Sequence, residues 1–168
     1  ENGQIKLEEN YKDGKEDGKL TRYYKNGQIE WEGNYKDGNL VGKWTYYYEN
    51  GQIRYKTNYK DFKEDGNWIY YYEDGQIWNE ENYKDGKKDG KWTEYYYNSQ
   101  IGFEENYKNG KLNGKSTYYH ENGNIKREGE FKNGILIDGK WTNYNEDGVI
   151  KKEEIYNFDG KLIETIEY

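Results

Sequence analysis

A repeat of 24 residues constrains the fold of this chain more than any other feature of its sequence. Six full copies begin at Asn2, Asn26, Asn50, Asp74, Asn98 and Asn122, and a shortened copy begins at Asp147. A fixed period of this size means that each copy is one supersecondary unit, which buries its apolar side against its neighbours. The sequence therefore predicts one repeat domain over residues 1–168, with copies at 2–25, 26–49, 50–73, 74–97, 98–121 and 122–146 and a capping segment at 147–168.

Each copy has the pattern of a β-hairpin, as the copy from Asn26 to Glu49 illustrates. The dipeptide Asn26-Gly27 before alternating apolar residues predicts a type I′ turn, which needs positive φ at both central positions. The following residues alternate between Ile29, Trp31, Gly33 and Tyr35 on one side and Glu30, Glu32 and Asn34 on the other. A longer loop, Lys36 to Gly42, is expected before a second strand, Lys43 to Tyr48. No window has the spacing of an amphipathic helix.

Pairing these strands across their turns predicts a sheet with one apolar and one polar face. The apolar face is expected to carry an Ile column, a Tyr column and a Trp column. Their members are Ile5, Ile29, Ile53, Ile77, Ile101, Ile125 and Ile150, then Tyr11, Tyr35, Tyr59, Tyr83, Tyr107, Phe131 and Tyr156, then Leu20, Trp44, Trp68, Trp92, Ser116 and Trp141. The predicted fold is an all-β, elongated, single-layer twisted array of antiparallel β-hairpin repeats.

The polar face is expected to carry Glu, Asn and Thr side chains together with one tyrosine in each full copy. These tyrosines are Tyr23, Tyr47, Tyr71, Tyr95, Tyr119 and Tyr144. Tyrosine is a good strand former, so the column can simply shield the sheet. Alternatively it is a contact surface for a protein or a sugar, because an ordered tyrosine offers a large contact area at a low entropic cost. The column is therefore the candidate partner-binding site.

Composition excludes several classes of partner and site. The net charge of −7 argues against a nucleic acid or a phospholipid membrane as partner, since either would favour a basic surface. The chain has no cysteine, which rules out disulfides and thiolate metal sites. No run of residues is apolar and long enough to span a bilayer. The residues leave the compartment open between the bacterial cytoplasm and the cell surface.

The sequence contains no constellation that predicts catalysis, a metal site or a cofactor site. The pairs Glu80-Glu81 and Glu104-Glu105 are neighbours on strands, so we expect them to point to opposite faces and to be solvated. The Asp-Gly turns lack the ligand spacing of a calcium loop. The single histidine, His120, takes the place of a tyrosine and has no acid partner nearby. We therefore expect a protein that is not an enzyme and that holds no cofactor or metal.

One loop departs from the repeat. Phe62 stands where the other copies have the glycine of Lys-Asp-Gly-Lys. Glycine is the residue that enters positive φ without cost. The loop of the third copy is therefore expected to differ in conformation from its neighbours.

The stretch NGQIEWEGNYKDGNLVGKWTYYYENG resembles the MORN family, specifically its bacterial variant seen in YwqK-like antitoxins. The residues that carry the resemblance include Tyr83 to Gly86 and Gly90 to Trp92, followed by the next Asn-Gly-Gln-Ile. The resemblance covers essentially the whole chain and implies a non-catalytic scaffold for interactions. The sequence thus predicts binding to a neutral or basic protein, such as the toxin of an antitoxin. The alternative is a bacterial surface or secreted module that binds carbohydrate or cell wall.

Overall fold

Two kinds of tight turn alternate along the computed structural model of this chain, which describes residues 6–137, 139–157 and 159–168. Asp37 and Gly38 both have positive φ (49° and 82°), and Lys36 pairs directly with Asn39, so this is the type I′ turn. At the other turn only Gly27 has positive φ (85°). There the Tyr24 N–H donates to the Gln28 carbonyl at 2.8 Å, and the Gly27 N–H donates to the Tyr24 carbonyl at 3.0 Å. This is a three-residue loop with a type I turn and a left-handed glycine.

Two expectations about the turns were therefore wrong. The Asn-Gly dipeptide does not form the type I′ turn, because the Asn26 side-chain oxygen accepts the Gln28 N–H at 3.0 Å and only the glycine enters positive φ. The segment from Lys36 to Gly42 is not a long loop either. It contains the two-residue turn and the beginning of a strand, Asn39–Tyr47, that pairs back onto its predecessor.

The described residues form strands joined by turns, and no helix occurs among them. The first strands are β1 (Leu7–Glu8), β2 (Tyr11–Lys12), β3 (Lys15–Glu16), β4 (Gly18–Tyr23), β5 (Ile29–Lys36), β6 (Asn39–Tyr47), β7 (Ile53–Lys60), β8 (Lys63–Glu64), β9 (Gly66–Tyr71) and β10 (Ile77–Lys84). The remaining strands are β11 (Lys87–Lys88), β12 (Gly90–Tyr95), β13 (Ile101–Lys108), β14 (Lys111–Leu112), β15 (Gly114–Tyr119), β16 (Ile125–Lys132), β17 (Ile135–Leu136), β18 (Lys140–Tyr144), β19 (Ile150–Tyr156) and β20 (Leu162–Glu167). Successive strands pair antiparallel, which confirms the prediction of an all-β hairpin-repeat fold.

The chain divides into two units, and both are built from the same hairpins. The first unit comprises Glu1–Ile77 and Asn82–Lys87, and the second comprises Trp78–Glu81 and Lys88–Tyr168. In the first unit β4, β5, β6 and β7 pair in sequence order. In the second unit β12 pairs with β13, β15 with β16, β18 with β19 and β19 with β20.

A β-bulge next to each Asn-Gly turn decides which face carries the isoleucines. Arg22 pairs with Trp31, but the next pair is Tyr23 with Ile29, so Glu30 has no partner on the neighbouring strand. The same shift occurs at Tyr47 with Ile53, Tyr95 with Ile101, Tyr119 with Ile125 and Tyr144 with Ile150. Because the extra residue reverses the alternation, each of these isoleucines lies on the face of its tyrosine partner. The expectation that the Ile column joins the Trp face was therefore wrong, and Ile5 lies outside the described residues.

The opposite face carries the aromatic core of each unit, as predicted for the Trp and Tyr35 columns. In the first unit Trp44 is only 2% exposed, and its ring lies 5.5 Å from that of Trp31 and 5.2 Å from that of Tyr35. In the second unit the Phe131 and Trp141 rings are 5.5 Å apart. Such tilted and edge-to-face pairs stabilise a structure beyond the area they bury.

Two carboxylates are also buried in the aromatic face of the second unit. Glu81 and Glu105 are each 7% exposed. The Glu105 carboxylate accepts hydrogen bonds from the hydroxyls of Tyr118 at 2.6 Å and Tyr107 at 2.7 Å. The expectation that Glu81 and Glu105 are solvated was therefore wrong, because hydroxyl donors from neighbouring residues replace water around the Glu105 carboxylate.

Within each unit, side chains link neighbouring copies with the spacing of the repeat. The Tyr24 hydroxyl donates to the Tyr47 carbonyl at 2.6 Å, and the Tyr96 hydroxyl donates to the Tyr119 carbonyl at 2.8 Å. His120 takes the tyrosine position in its copy, and its Nε2 lies 3.2 Å from the Tyr144 carbonyl oxygen. His120 thus has the structural place of the tyrosine that it replaces.

The loop that contains Phe62 keeps the conformation of its neighbours, contrary to expectation. Asp61 and Phe62 have φ of 47° and 69°, close to the 49° and 82° of Asp37 and Gly38. Lys60 and Lys63 pair directly across this turn, so only two residues are left to close it. That pairing forces a bulky residue into the left-handed region, which is strained for any side chain of this kind.

Candidate functional site

The six candidate tyrosines occupy equivalent positions, each at the last residue of a strand before an Asn-Gly-type turn. Tyr23, Tyr47 and Tyr71 belong to the first unit, and Tyr95, Tyr119 and Tyr144 belong to the second. The bulge pairs five of them with isoleucines that lie on the same face, as described above. All six side chains are partly exposed. The structure therefore arranges the candidates as a regular column in each unit.

The hydroxyl groups of most of these tyrosines bind a carboxylate on the neighbouring strand of the same copy. The donor–acceptor pairs are Tyr23 with Glu8 (2.9 Å), Tyr47 with Glu32 (2.8 Å), Tyr95 with Glu80 (3.0 Å), Tyr119 with Glu104 (3.3 Å) and Tyr144 with Glu128 (2.8 Å). Tyr71 is the exception, because Lys56 occupies the position of the carboxylate. The tyrosine rings are therefore held in fixed orientations by hydrogen bonds at their outer ends.

A lysine completes each arrangement on the other side of the carboxylate, and we name the three residues a Lys–Glu–Tyr rung. The rungs with all three members are Lys19–Glu32–Tyr47, Lys91–Glu104–Tyr119, Lys115–Glu128–Tyr144 and Lys140–Glu153–Tyr168. In the first of these the Lys19 ammonium lies 2.7 Å from the Glu32 carboxylate. The lysine side chains of the rungs are largely exposed, whereas the glutamate side chains between them are largely covered. Each rung is therefore a partly buried network of charges and hydrogen bonds at the surface of the sheet.

The rung fixes the protonation of its members at neutral pH. The hydrogen bond from Lys19, and after it the bond from Tyr47, lowers the pKa of the Glu32 carboxyl. Burial and then the bond to Glu32 raise the pKa of Tyr47 to about 12. The same causes, with Glu80 and Glu128 as acceptors, raise the pKa of Tyr95 and of Tyr144 to about 12. The phenols are therefore neutral hydrogen-bond donors, and the Glu32 carboxylate is ionised.

In the second unit the last rungs surround a shallow polar cavity of about 340 Å³. Its lining includes Glu128, Thr142, Tyr144, Ile150 and Glu153. The cavity combines hydrogen-bonding groups of both kinds with an apolar isoleucine, which is the composition of a recognition surface.

Sequence reasoning placed the tyrosines and the glutamates together on the polar face but missed the lysines that complete the rungs. The signal was available, since Lys, Thr and Tyr recur at alternate positions in Lys19-Leu20-Thr21-Arg22-Tyr23 and again in Lys43-Trp44-Thr45-Tyr46-Tyr47. Residues at alternate positions of a strand share a face. The ion pair of each lysine with a particular glutamate could not be chosen in this way, because it depends on the register between strands.

The structure offers no obvious metal centre among the residues that it describes. No group of three or more His, Cys, Asp or Glu side chains in those residues is arranged to hold a metal ion. A search for helices that are long and apolar enough to cross a membrane also finds none in the same residues.

Comparisons with known proteins identify the repeat itself. The model of a family described as "MORN repeat variant" matches residues 1–13, 16–37, 40–61, 64–85, 88–109, 112–133 and 137–158. No curated protein matches the chain. A solved structure titled "Crystal structure of GtfA/B complex bound to UDP and GlcNAc" matches with 14% sequence identity and a TM-score of 0.31. That match covers 74% of this chain and 24% of the other chain, so this chain spans 24% of the length of the protein it matches.

Proposed function

The chain belongs to the MORN repeat variant family, whose repeats are generally non-catalytic binding repeats, and from this premise we propose that it binds another protein through the polar face. The tyrosine column and its rungs form the contact surface. The partner is a neutral or basic protein. Among such proteins, the resemblance to YwqK-like antitoxins favours a toxin.

The single observation that carries the proposal is the hydrogen bond between the hydroxyl of five of the six tyrosines and a carboxylate of the same copy. In the second unit, Tyr95, Tyr119 and Tyr144 donate to Glu80, Glu104 and Glu128. A ring that is already held in one orientation loses little side-chain entropy when a partner covers it. Rigid tyrosines are therefore effective anchors for a protein, and interface energy is concentrated in a few such residues.

Charge supports a neutral or basic partner. The chain carries a net charge of −7. The lysines of the complete rungs form ion pairs with the glutamates of the same rungs, so their positive charge is already balanced. A partner with excess negative charge meets repulsion from the rest of the surface, whereas a basic partner is attracted at long range.

The proposal can be tested with one alanine substitution in each unit. Tyr47→Ala and Tyr119→Ala each remove one ring whose hydroxyl is held by a carboxylate. A protein captured from a native lysate by the wild-type chain is identified by mass spectrometry and purified, and its affinity for each variant is measured by calorimetry. We expect each substitution to weaken binding by at least about tenfold, because a central aromatic anchor contributes about 2 kcal/mol or more.

Tyr11→Ala is the matched control in the first unit. Tyr11 is an exposed tyrosine (57%) that lies outside the column. Its substitution removes the same chemical group but should leave the affinity for the partner unchanged. Equal affinities for all three variants and the wild type, with unchanged melting temperatures, would refute the tyrosine column as the binding surface.

A carbohydrate ligand is the second candidate, and one feature of the second unit favours it. A cavity of about 320 Å³ is lined by the aromatic residues Phe131, Trp141 and Tyr156 and by the polar residues Asn157 and Asp159. Aromatic faces beside polar side chains suit the apolar faces and hydroxyl groups of a sugar. Titration of glucose, N-acetylglucosamine and cell-wall fragments against intrinsic fluorescence tests this candidate. A saturable change that is lost in Trp141→Ala would favour it over a protein partner.

A further inference from the structure

The third copy interrupts the series of rungs in the first unit. In the copy before it, Lys19 pairs with Asn34 and Thr21 pairs with Glu32, which places Lys19 diagonally across from Glu32. In the third copy Lys43 pairs with Asn58 and Thr45 pairs with Lys56, so the register is identical. A lysine therefore occupies the position that the carboxylate holds in the complete rung.

Contacts around Lys56 agree with this assignment. Its ammonium group lies 5.5 Å from the centre of the Tyr71 ring, as expected for a side chain in the place next to that tyrosine. Lys43 and Lys56 are both exposed, and within the described residues neither forms a hydrogen bond or an ion pair. The Tyr71 hydroxyl also has no hydrogen-bond partner in that part of the chain. The site thus gathers two ammonium groups and one phenol, which are all donors, around the place of a missing acceptor.

We infer that this interrupted rung, Lys43–Lys56–Tyr71, binds one carboxylate side chain of a protein partner. A carboxylate of the partner that lies beside these groups would make the contacts that Glu32 makes with Lys19 and Tyr47, where the acid lies 2.7 Å from the ammonium and 2.8 Å from the hydroxyl. Here it meets a second ammonium as well. Charge-assisted hydrogen bonds of this type are stronger than neutral ones.

The surroundings select a single carboxylate over a polyanion. Lys56 pairs on its other side with Ile69, where most copies have a threonine, so the neighbouring surface is apolar. On the same face Thr45 separates Lys56 from Glu32, which is an acidic residue. A phosphate backbone or an anionic membrane extends past the rung and meets this negative charge. A single Glu or Asp side chain with a short apolar neighbourhood fits the site without that repulsion.

This inference rests on the proposed function, since it names one contact that the protein partner makes. It also reconciles a partner that is neutral or basic overall with one acidic contact point. Rim charges of this kind fix the register of a complex more than they add to its affinity.

The experiment uses two short peptides as probes, both acetylated and amidated at their ends. One has the sequence Thr-Val-Glu-Val-Thr, and the other has Gln in place of Glu. Binding to the full chain is followed by NMR of the Tyr71 ring and of the lysine side chains. We expect the acidic peptide to bind about three- to tenfold more tightly than its amide counterpart, with the largest shifts at Tyr71 and smaller ones at Tyr47.

Three variants decide the assignment. Lys56→Gln should remove most of the preference for the acidic peptide, and Lys56→Glu should abolish it, because the chain then supplies its own carboxylate. Lys36→Gln is the matched control, since it removes an exposed lysine that belongs to no rung and should leave the preference unchanged. If Lys56→Glu fails to fold, Lys56→Gln alone still tests the prediction.

The inference is overturned if the two peptides bind equally or if Lys36→Gln reduces the preference as much as Lys56→Gln does. It is also overturned if inorganic phosphate at matched ionic strength gives larger shifts at Tyr71 than the acidic peptide. These outcomes are distinct from a failure of the proposed function. A captured partner that loses affinity in Tyr119→Ala but binds Lys56→Glu like the wild type would leave the proposed function standing and would refute the interrupted rung as its contact.

Discussion

Gly33 offers the sharpest test of how the aromatic core is packed, because the indole of Trp44 lies directly over its backbone. A Cβ atom at position 33 would lie 2.1 Å from Cδ2 of Trp44. Carbon atoms in contact are separated by about 3.5–4.0 Å, so Gly33→Ala requires a shift of more than about 1 Å. Trp44 is 2% exposed and has the rings of Trp31 and Tyr35 beside it, so its indole has little room to move.

We expect Gly33→Ala to lower the free energy of unfolding by about 2–3 kcal/mol. Overpacking a buried site costs about 1–3 kcal/mol, and this contact is short enough for the upper part of that range. The reduced freedom of the unfolded chain returns up to about 1 kcal/mol, which keeps the loss from being larger. Urea denaturation followed by far-UV circular dichroism measures the change, and hydrogen exchange at the amides of β5 and β6 shows whether the loss stays local, as expected for a repeat protein.

Two other glycines in extended strands provide graded controls. At Gly129 the added atom would lie 2.9 Å from Leu136 Cδ1 and 3.3 Å from Trp141 Cε3, so Gly129→Ala should cost about 1 kcal/mol. At Gly102 the nearest atom would be 3.4 Å away, so Gly102→Ala should be within about 0.5 kcal/mol of the wild type.

A double substitution isolates the contact itself. In a Trp44→Leu background, Gly33→Ala should cost less than about 0.5 kcal/mol, because the indole that it meets is gone. A cost for Gly33→Ala equal to or below that of Gly102→Ala, or the same cost with and without Trp44, would show that Trp44 does not pack on Gly33.

Three further predictions concern single side chains. Phe62→Gly should raise the free energy of unfolding, measured by urea denaturation, by about 1 kcal/mol. Phe62 has φ of 69° and is 62% exposed, so the substitution relieves backbone strain and removes little packing. A loss of stability would contradict this. Burial raises the pKa of the Glu94 carboxyl, and Glu94 has no hydrogen bond or ion pair among the described residues. A raised pKa in the folded state means that the ionised carboxylate lowers stability as the pH rises, whereas the protonated group below the unfolded pKa does not. Glu94→Gln should therefore raise the melting temperature at pH 7 and leave it unchanged below about pH 4. The same increase in melting temperature at both pH values, measured by calorimetry, would disprove this. Trp68→Ala should cost about 3 kcal/mol, the lower end for a tryptophan, since Trp68 contacts Tyr59 and Tyr83 but is only partly buried; unchanged denaturation would show that its face is not packed.

Much of the fold follows from local pattern. The period of the repeat and the alternation of residues such as Trp31 and Tyr35 with Glu32 and Asn34 predict antiparallel hairpins and an aromatic face. Both were confirmed, because alternation along a strand depends only on its own backbone. The resemblance to MORN repeats was confirmed as well, because the motif recurs along the chain.

The turn types and the face of the isoleucines depended on bonds that the pattern does not reveal. Asn-Gly is compatible with a type I′ turn, but here the bond from Tyr24 N–H to the Gln28 carbonyl makes a three-residue loop. The bulge that follows leaves Glu30 unpaired and moves Ile29 to the face of Tyr23. A shift of one residue is invisible in the sequence, yet it reverses every side chain beyond it.

The candidate site was divided in the same way between sequence and tertiary structure. The sequence by itself determined that one tyrosine per copy lies on the polar face, because its distance from the Trp of the same strand is odd. Only the tertiary structure decided that Tyr47 binds Glu32, that Lys19 completes the rung, and that Glu105 is buried among hydroxyl groups. These partners lie on different strands, and their distances depend on inter-strand register and on which carboxylates can find donors when water is removed.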